Sequence, residues 1–200
     1  ALETGVERIV HASSIAAYGT TETELNERSP VQRDVGMYGL TKLLSEALLS
    51  RIGRRQGIVC RTVIFATVLS DRPVSSPGIA AAVAKIVGSA HGGDVTIGEV
   101  AAEERRHYVY YKDAARATVA ALTTPTTAND VFHIAGDAGS YVTFAELASL
   151  IRELRPNAGT VTFTGKSGHR GRVDTSRAQR ELGYAPSHSL RSALQEILSN

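Results

Sequence analysis

Ile58-Val59-Cys60-Arg61-Thr62-Val63-Ile64-Phe65 is a nearly continuous apolar run, rich in β-branched residues. Such a run predicts a strand buried on both faces, as in a parallel sheet covered by helices. Upstream, residues 38–54 carry apolar side chains at Leu40, Leu43, Leu44, Ala47 and Leu48, which is helical spacing. Further upstream, residues 7–11 read as a strand centred on Ile9 and Val10. Downstream the alternation continues. Residues 79–87 read as an Ala-rich helix, and Val95–Ile97 and residues 107–110 as short strands. Residues 113–122 read as a helix with Asp113 at its N-terminus, where a carboxylate is favoured. Residues 131–135 and 161–164 read as strands and residues 189–198 as a final helix. Thr143-Phe144-Ala145-Glu146 is a capping box that opens a helix to about Leu154. Strands and helices that alternate in this way predict the α/β class with parallel pairing.

The chain has 200 residues, 42% hydrophobic and 21% charged, enough for one large domain or one domain with an appendage. A net charge of +2 gives no argument for nucleic acid or an anionic membrane as partner. Arg51, Arg54 and Arg55 alternate with apolar residues in the helical stretch and read as a solvated face. Cys60 is the single cysteine, which excludes an internal disulfide; within its apolar run it reads as a buried, inert thiol. The six histidines are scattered, with no metal-ligand spacing, so no metal is expected. No apolar stretch is long enough to span a membrane, and no basic segment precedes an apolar one at the N-terminus. Both observations fit a cytoplasmic protein.

Tyr38 and Lys42 stand four apart at the start of the first helix, which places them on one helical face. A phenol is a poor base near neutrality, because its unperturbed pKa is about 10. An ammonium about 4 Å away favours phenolate by roughly 4 kcal/mol at an effective dielectric near 20. A tyrosine and a lysine so placed can form a proton-transfer group that works near pH 7. The same spacing also describes an ordinary solvated face. Ala12-Ser13-Ser14-Ile15-Ala16-Ala17-Tyr18-Gly19 follows the first strand, and ligands of open α/β sheets bind at the strands' carboxyl ends. A serine hydroxyl there can hold a substrate oxygen, or it can satisfy local backbone.

Together these segments resemble the extended short-chain dehydrogenase/reductases, the NAD-dependent epimerase/dehydratase group, over nearly the whole chain. The residues that carry the resemblance are Ser13-Ser14 with Ala17-Tyr18-Gly19, then Tyr38 and Lys42, Arg61 in the next strand, and Arg106-His107-Tyr108-Val109 followed by Asp113. Asp174-Thr175-Ser176-Arg177-Ala178 with Glu181-Leu182-Gly183-Tyr184-Ala185-Pro186 is similar to the family's C-terminal signature. The resemblance implies that Ser14, Tyr38 and Lys42 are catalytic. It implies that Ser13, Tyr38 and Lys42 meet NAD or NADP, and that Ser14, Arg106 and Arg172 bind substrate. Arg170 is the alternative to Arg172.

The implied fold is a partial Rossmann-like, doubly wound parallel sheet with a small α/β substrate-binding subdomain. Residues 1–70 would be the sheet half with the Ser/Tyr/Lys site. Residues 71–200 would be mostly substrate-binding, with 107–135 partly returning to the sheet. The implied activity is epimerase/dehydratase-like proton and hydride transfer on a hydroxyl of a sugar or nucleotide sugar. Simple dehydrogenation of a sugar or sugar acid is the alternative within the class, and a non-catalytic interaction domain is the alternative outside it. The family also implies a homodimer through the helix of Tyr38 and Lys42.

The family's Gly-rich pyrophosphate turn is expected upstream of this chain, roughly a hundred residues before a strand that resembles the family's fifth. Thr164-Gly165-Lys166-Ser167-Gly168-His169-Arg170-Gly171 spells a similar pattern, but no second strand follows it within the chain, so it reads as a loop. Three departures weaken a nucleotide-sugar substrate. Ile64 stands where the family often has Asn, Thr67-Val68 stands where it has Gly-Pro, and Met37 stands where Pro is common.

Overall fold

The computed structural model describes residues 5–70, 78–125, 130–168 and 170–199. Three parallel strands form the first sheet, in the order β1 (Arg8–Ser14), β2 (Val59–Phe65) and β6 (Val131–Ile134). β2 is the central strand and is buried at every interior position, as its unbroken apolar run predicts. Among the described residues β1 is bonded on one side only, and its first residue is exposed.

Between β1 and β2 runs the long helix α1 (Met37–Gln56), closed by Gly57 in the left-handed conformation. The spacing of its leucines suits core packing and pairing with a second helix alike. Leu40, Leu44 and Leu48 are exposed, and the helix buries Gly39 and Gly53 instead. The helix therefore lies close to the sheet through its small residues and presents leucines outward.

β3 (Thr67–Leu69) follows β2 directly and was not legible as a separate strand. α2 (Ile79–Gly88), β4 (Val95–Ile97) and β5 (Arg105–Tyr110) come next. α3 (Tyr111–Thr123) then leads to β6. β7 (Tyr141–Thr143), α4 (Phe144–Leu154), β8 (Val161–Phe163), α5 (Ser176–Leu182) and α6 (Leu190–Ile197) complete the chain. β5 pairs with β3 in parallel but with β7 antiparallel, an exception to the expected parallel pairing. β4 and β8 form a separate parallel pair. The capping box at Thr143 and Glu146 is present.

Two hydrophobic cores result. One packs Val63, Ile64, Phe132 and Ile134 of the first sheet against Ala114, Ala117 and Ala121 of α3, with Ala178 and Leu182 of α5. The other packs α2, α4 and α6 through Ile86, Leu147, Ile151 and Leu194 around Tyr108 and Tyr110 of β5. β5 thus contributes Val109 to one core and its neighbours to the other, as strand alternation dictates.

Asp113 fastens the C-terminal segment. It lies in the first turn of α3, fully buried, and accepts hydrogen bonds from Ser187 and His188 N–H groups and from the Ser187 hydroxyl. Arg61 points to the α3 side, where its guanidinium donates to the carbonyls of Ala121 and Thr124. Arg8 donates to the carbonyl of Leu122 in the same last turn. Two cations at a helix C-terminus complement its orphan carbonyls and its dipole. Arg61 is therefore held in the scaffold.

Candidate active site

The site begins with the end of β1. The strand runs to Ser14, so Ser13 and Ser14 are its last two residues rather than part of a loop. Register pairs them with Ile64 and Phe65. A single 3-10 turn, Ile15–Tyr18, follows, and the Ser14 hydroxyl caps it by accepting the Ala16 N–H at 3.2 Å. The turn is anchored from below. Tyr18 Oη lies 2.8 Å from His133 Nε2, and the His133 N–H donates to Glu27 at 3.0 Å. Burial pushes the Tyr18 phenol well above its ordinary pKa, so it stays protonated.

Gly39 brings α1 against this turn. A Cβ at residue 39 would lie 2.2 Å from the Ala16 carbonyl oxygen, so only glycine permits the approach. That contact sets Tyr38 and Lys42 beside Ser14. Lys42 Nζ donates to the Ala12 carbonyl at 2.9 Å and lies 5.5 Å from the centroid of the Tyr38 ring. Tyr38 is 60% exposed, so its phenol is open to a substrate. The Ser13 hydroxyl is buried with no hydrogen-bond partner. His11 lies beneath Lys42; burial, and then the Lys42 charge, hold its imidazole below the usual histidine value.

Ser13, Ser14, Tyr38, Lys42 and Arg106 all line one cleft of about 600 Å³. Its apolar lining includes Phe65, Ala66, Val68 and Ile79, and Arg106 and Arg170 also line it. Five of the six residues picked from the sequence therefore meet at one place. Arg172 does not. It is exposed, and its carbonyl accepts the Leu25 N–H at 2.7 Å. The segment bridges Thr21 at Arg170 and Leu25 at Val173, four residues against three, so strand alternation fails and Arg170 takes the cleft position. Glu104 escaped the sequence reading. It lies one residue before β5 and next to Glu103, so strand alternation gave no signal to single it out.

The glycines of residues 164–171 serve packing. A Cβ on Gly165 would lie 2.4 Å from Val100 N, and one on Gly171 would lie 1.6 Å from the Thr23 carbonyl oxygen. The Gly168 N–H is taken by Glu104 at 2.8 Å. His169 lies outside the described residues. Among the described residues no helix opens directly on the glycines, unlike a pyrophosphate-binding turn.

Among the described residues no group of three or more His, Cys, Asp and Glu side chains could hold a metal ion. No helix among them is long and apolar enough to cross a membrane.

A sheet of parallel strands with a Ser/Tyr/Lys cleft at its carboxyl ends defines a Rossmann-like, doubly wound class. The family model of the NAD dependent epimerase/dehydratase family matches residues 1–135, and the chain belongs to that family. Among solved structures, it is similar to the UDP-glucose 4-epimerase of Thermotoga maritima, determined with UDP-glucose. The identity is 24% and the TM-score 0.83, over 99% of this chain and 64% of that one. It is also similar to the UDP-glucuronic acid 4-epimerase of Bacillus cereus, determined with UDP-glucuronic acid and NAD. There the identity is 22% and the TM-score 0.84, over 99% of this chain and 62% of that one. At these identities the likeness speaks for the fold, and the chain spans under two thirds of either enzyme's length. No curated protein matches it.

Proposed function

We propose that this chain carries the proton-transfer and substrate-binding part of an NAD(P)-dependent oxidoreductase of the epimerase/dehydratase kind, acting on a hydroxyl of a sugar or nucleotide sugar. The observation that carries this reading is the convergence of Ser14, Tyr38, Lys42, Arg106 and Arg170 on one cleft. The Tyr38 phenol takes or gives the proton of the substrate hydroxyl, and Ser14 holds that hydroxyl in place. The Lys42 ammonium supplies positive charge beside the phenol. The arginine side of the cleft lining receives an anionic part of the substrate.

The residues present fit the nicotinamide end of the cofactor. The partnerless Ser13 hydroxyl, the exposed Tyr38 phenol and Lys42 would hold it. When bound, NAD or NADP supplies hydride chemistry at the substrate carbon. The glycines of residues 165–171 give its pyrophosphate no cradle, because backbone already fills the space beside Gly165 and Gly171 and Glu104 takes the Gly168 N–H. This chain alone is therefore expected to bind reduced cofactor weakly. Tight, saturable binding of NADH by residues 1–200 would revive that loop as a cofactor site.

A second reading, simple dehydrogenation of a sugar or sugar acid, is favoured by the cleft wall. Thr67 and Val68 continue as β3, where a nucleotide-sugar enzyme of the family often turns at Gly-Pro. An interaction domain without catalysis is the reading to defeat. In the cofactor-loaded protein, Tyr38→Phe is expected to lower kcat by about 10²–10⁴-fold. Its melting temperature should hold, since the side chain is mostly exposed. Full turnover by that variant would remove Tyr38 from the chemistry. Leu40, Leu44 and Leu48, one face of α1 at four-residue spacing, are assigned to the matching face of a second copy. Sedimentation of the protein as a monomer would remove that assignment.

A further inference from the structure

Arg106 and Arg170 line the same cleft, yet their charges stand in different company. Arg106 is 4% exposed, and its guanidinium is ion-paired with Glu104, which is 1% exposed. The second oxygen of Glu104 accepts the Gly168 N–H at 2.8 Å. Both oxygens of that carboxylate are thus engaged, and Arg106 is tied through it to the loop of residues 165–171. Burial lowers the Arg106 guanidinium to about 10, and Glu104 opposes that shift. Such a buried pair is close to charge-neutral, and breaking it would strand a charge.

Arg170 is only half-buried, and its buried Nη1 has no hydrogen-bond partner. Two carboxylates bear on its charge, Asp34 and Glu104. Asp34 accepts the Thr20 N–H on both oxygens, at 3.1 and 3.2 Å. Glu104 is engaged as described. Lys42 stands by the serines and donates to the Ala12 carbonyl. The nearby wall of Phe65, Ala66, Val68 and Ile79 brings apolar side chains.

We propose that Glu104 determines specificity: it cancels the charge of Arg106 and holds that side chain to the loop, so that Arg170 receives the substrate's anionic group and the cleft selects a sugar with one carboxylate over a sugar with a diphosphate. This inference rests on the reading of the cleft as the substrate site. A carboxylate matches the two-pronged face of one guanidinium. A diphosphate brings a second negative charge, which would sit beside the buried Glu104 with no free cation to meet it among the described residues of the cleft lining, and rejection by an uncompensated charge is a strong discriminator. Glu104, Arg106 and Arg170 together carry a single positive charge.

The test compares D-glucuronate with UDP-glucose on the cofactor-loaded protein, with calorimetric binding and turnover measured separately. Glucuronate is expected to bind at least about 10-fold more tightly, the scale of one charged hydrogen-bonded pair. Tighter binding of UDP-glucose would overturn the proposal. Arg170→Met should weaken glucuronate by at least about 10-fold, seen in KM more than kcat; unchanged affinity would overturn it. Glu104→Gln should move the preference toward UDP-glucose by about 10-fold or more, and an unmoved preference in the folded variant would overturn it. If Glu104→Gln does not fold, the first two measurements still decide. Selective binding of glucuronate without turnover would defeat the catalytic reading and leave this one standing. Turnover of UDP-glucose that is lost in Tyr38→Phe would do the reverse.

Discussion

Gly39 and Gly165 each sit where a Cβ would collide with backbone, 2.2 Å from the Ala16 carbonyl oxygen in one case and 2.4 Å from Val100 N in the other. The sequence around Gly165 spells a cofactor fingerprint, while the sequence around Gly39 spells only a tyrosine and a lysine four apart. In the structure their importance is reversed. Gly39 lets the first turn of α1 reach the serine turn and so assembles the cleft. Gly165 lets one loop lie on residues 98–100 and so fastens the second core. A glycine motif becomes a phosphate site only when free N–H groups face open space at a helix start. At residues 164–171 backbone fills the space beside Gly165 and Gly171, and Glu104 takes the Gly168 N–H.

That contrast can be broken at either glycine. Gly39→Ala has the larger expected effect. Alanine raises helix propensity by about 1 kcal/mol, yet α1 must back away from Ala16. A displacement near 1 Å of Tyr38 and Lys42 lowers kcat by roughly 100-fold, while the melting temperature changes little. A variant with unchanged kcat would show that the close approach does not set the site. Gly165→Ala should act in the opposite sense, lowering stability by about 1–3 kcal/mol through overpacking and leaving NADH affinity where it was. Denaturant unfolding and cofactor titration on the same variant would separate the two effects. Loss of NADH binding without loss of stability would return the loop to a cofactor role.

The same contrast marks how far the sequence could be read. β2 was legible because a strand buried on both faces must be apolar throughout. The α4 capping box was legible because its hydrogen bonds are local. The convergence of Ser14, Tyr38 and Lys42 was legible because strand, turn and helix follow one another in the chain. What escaped depends on contacts between distant segments. The leucines of α1 suit a core or a partner helix equally by spacing, and it is small Gly39 and Gly53 that take the buried face. Arg170 rather than Arg172 reaches the cleft because the strip beside Thr21 and Leu25 slips by one residue. The short strands β3 and β7 are too brief for periodicity to distinguish them from loop.

The smallest effect expected belongs to the fastening side of the contrast. Asp113 is fully buried at the start of α3. Burial by itself raises its carboxyl pKa, but hydrogen bonds from His188 and from the Ser187 backbone and hydroxyl outweigh it, so the folded value lies below the ordinary one. A carboxylate depressed in this way contributes stability that is complete above its unfolded pKa of about 3.9 and is lost as the pH falls through the lower folded value. Asp113→Asn keeps an acceptor for Ser187 but removes the titrating charge. The variant should be less stable by about 1 kcal/mol at neutral pH, and its stability should fall less steeply than the parent's below about pH 4. The Tyr38 cleft lies in the other half of the contrast, so kcat at neutral pH should be unmoved. An acid limb equally steep in both proteins would show that Asp113 is not what fastens the segment of Ser187 and His188 to α3.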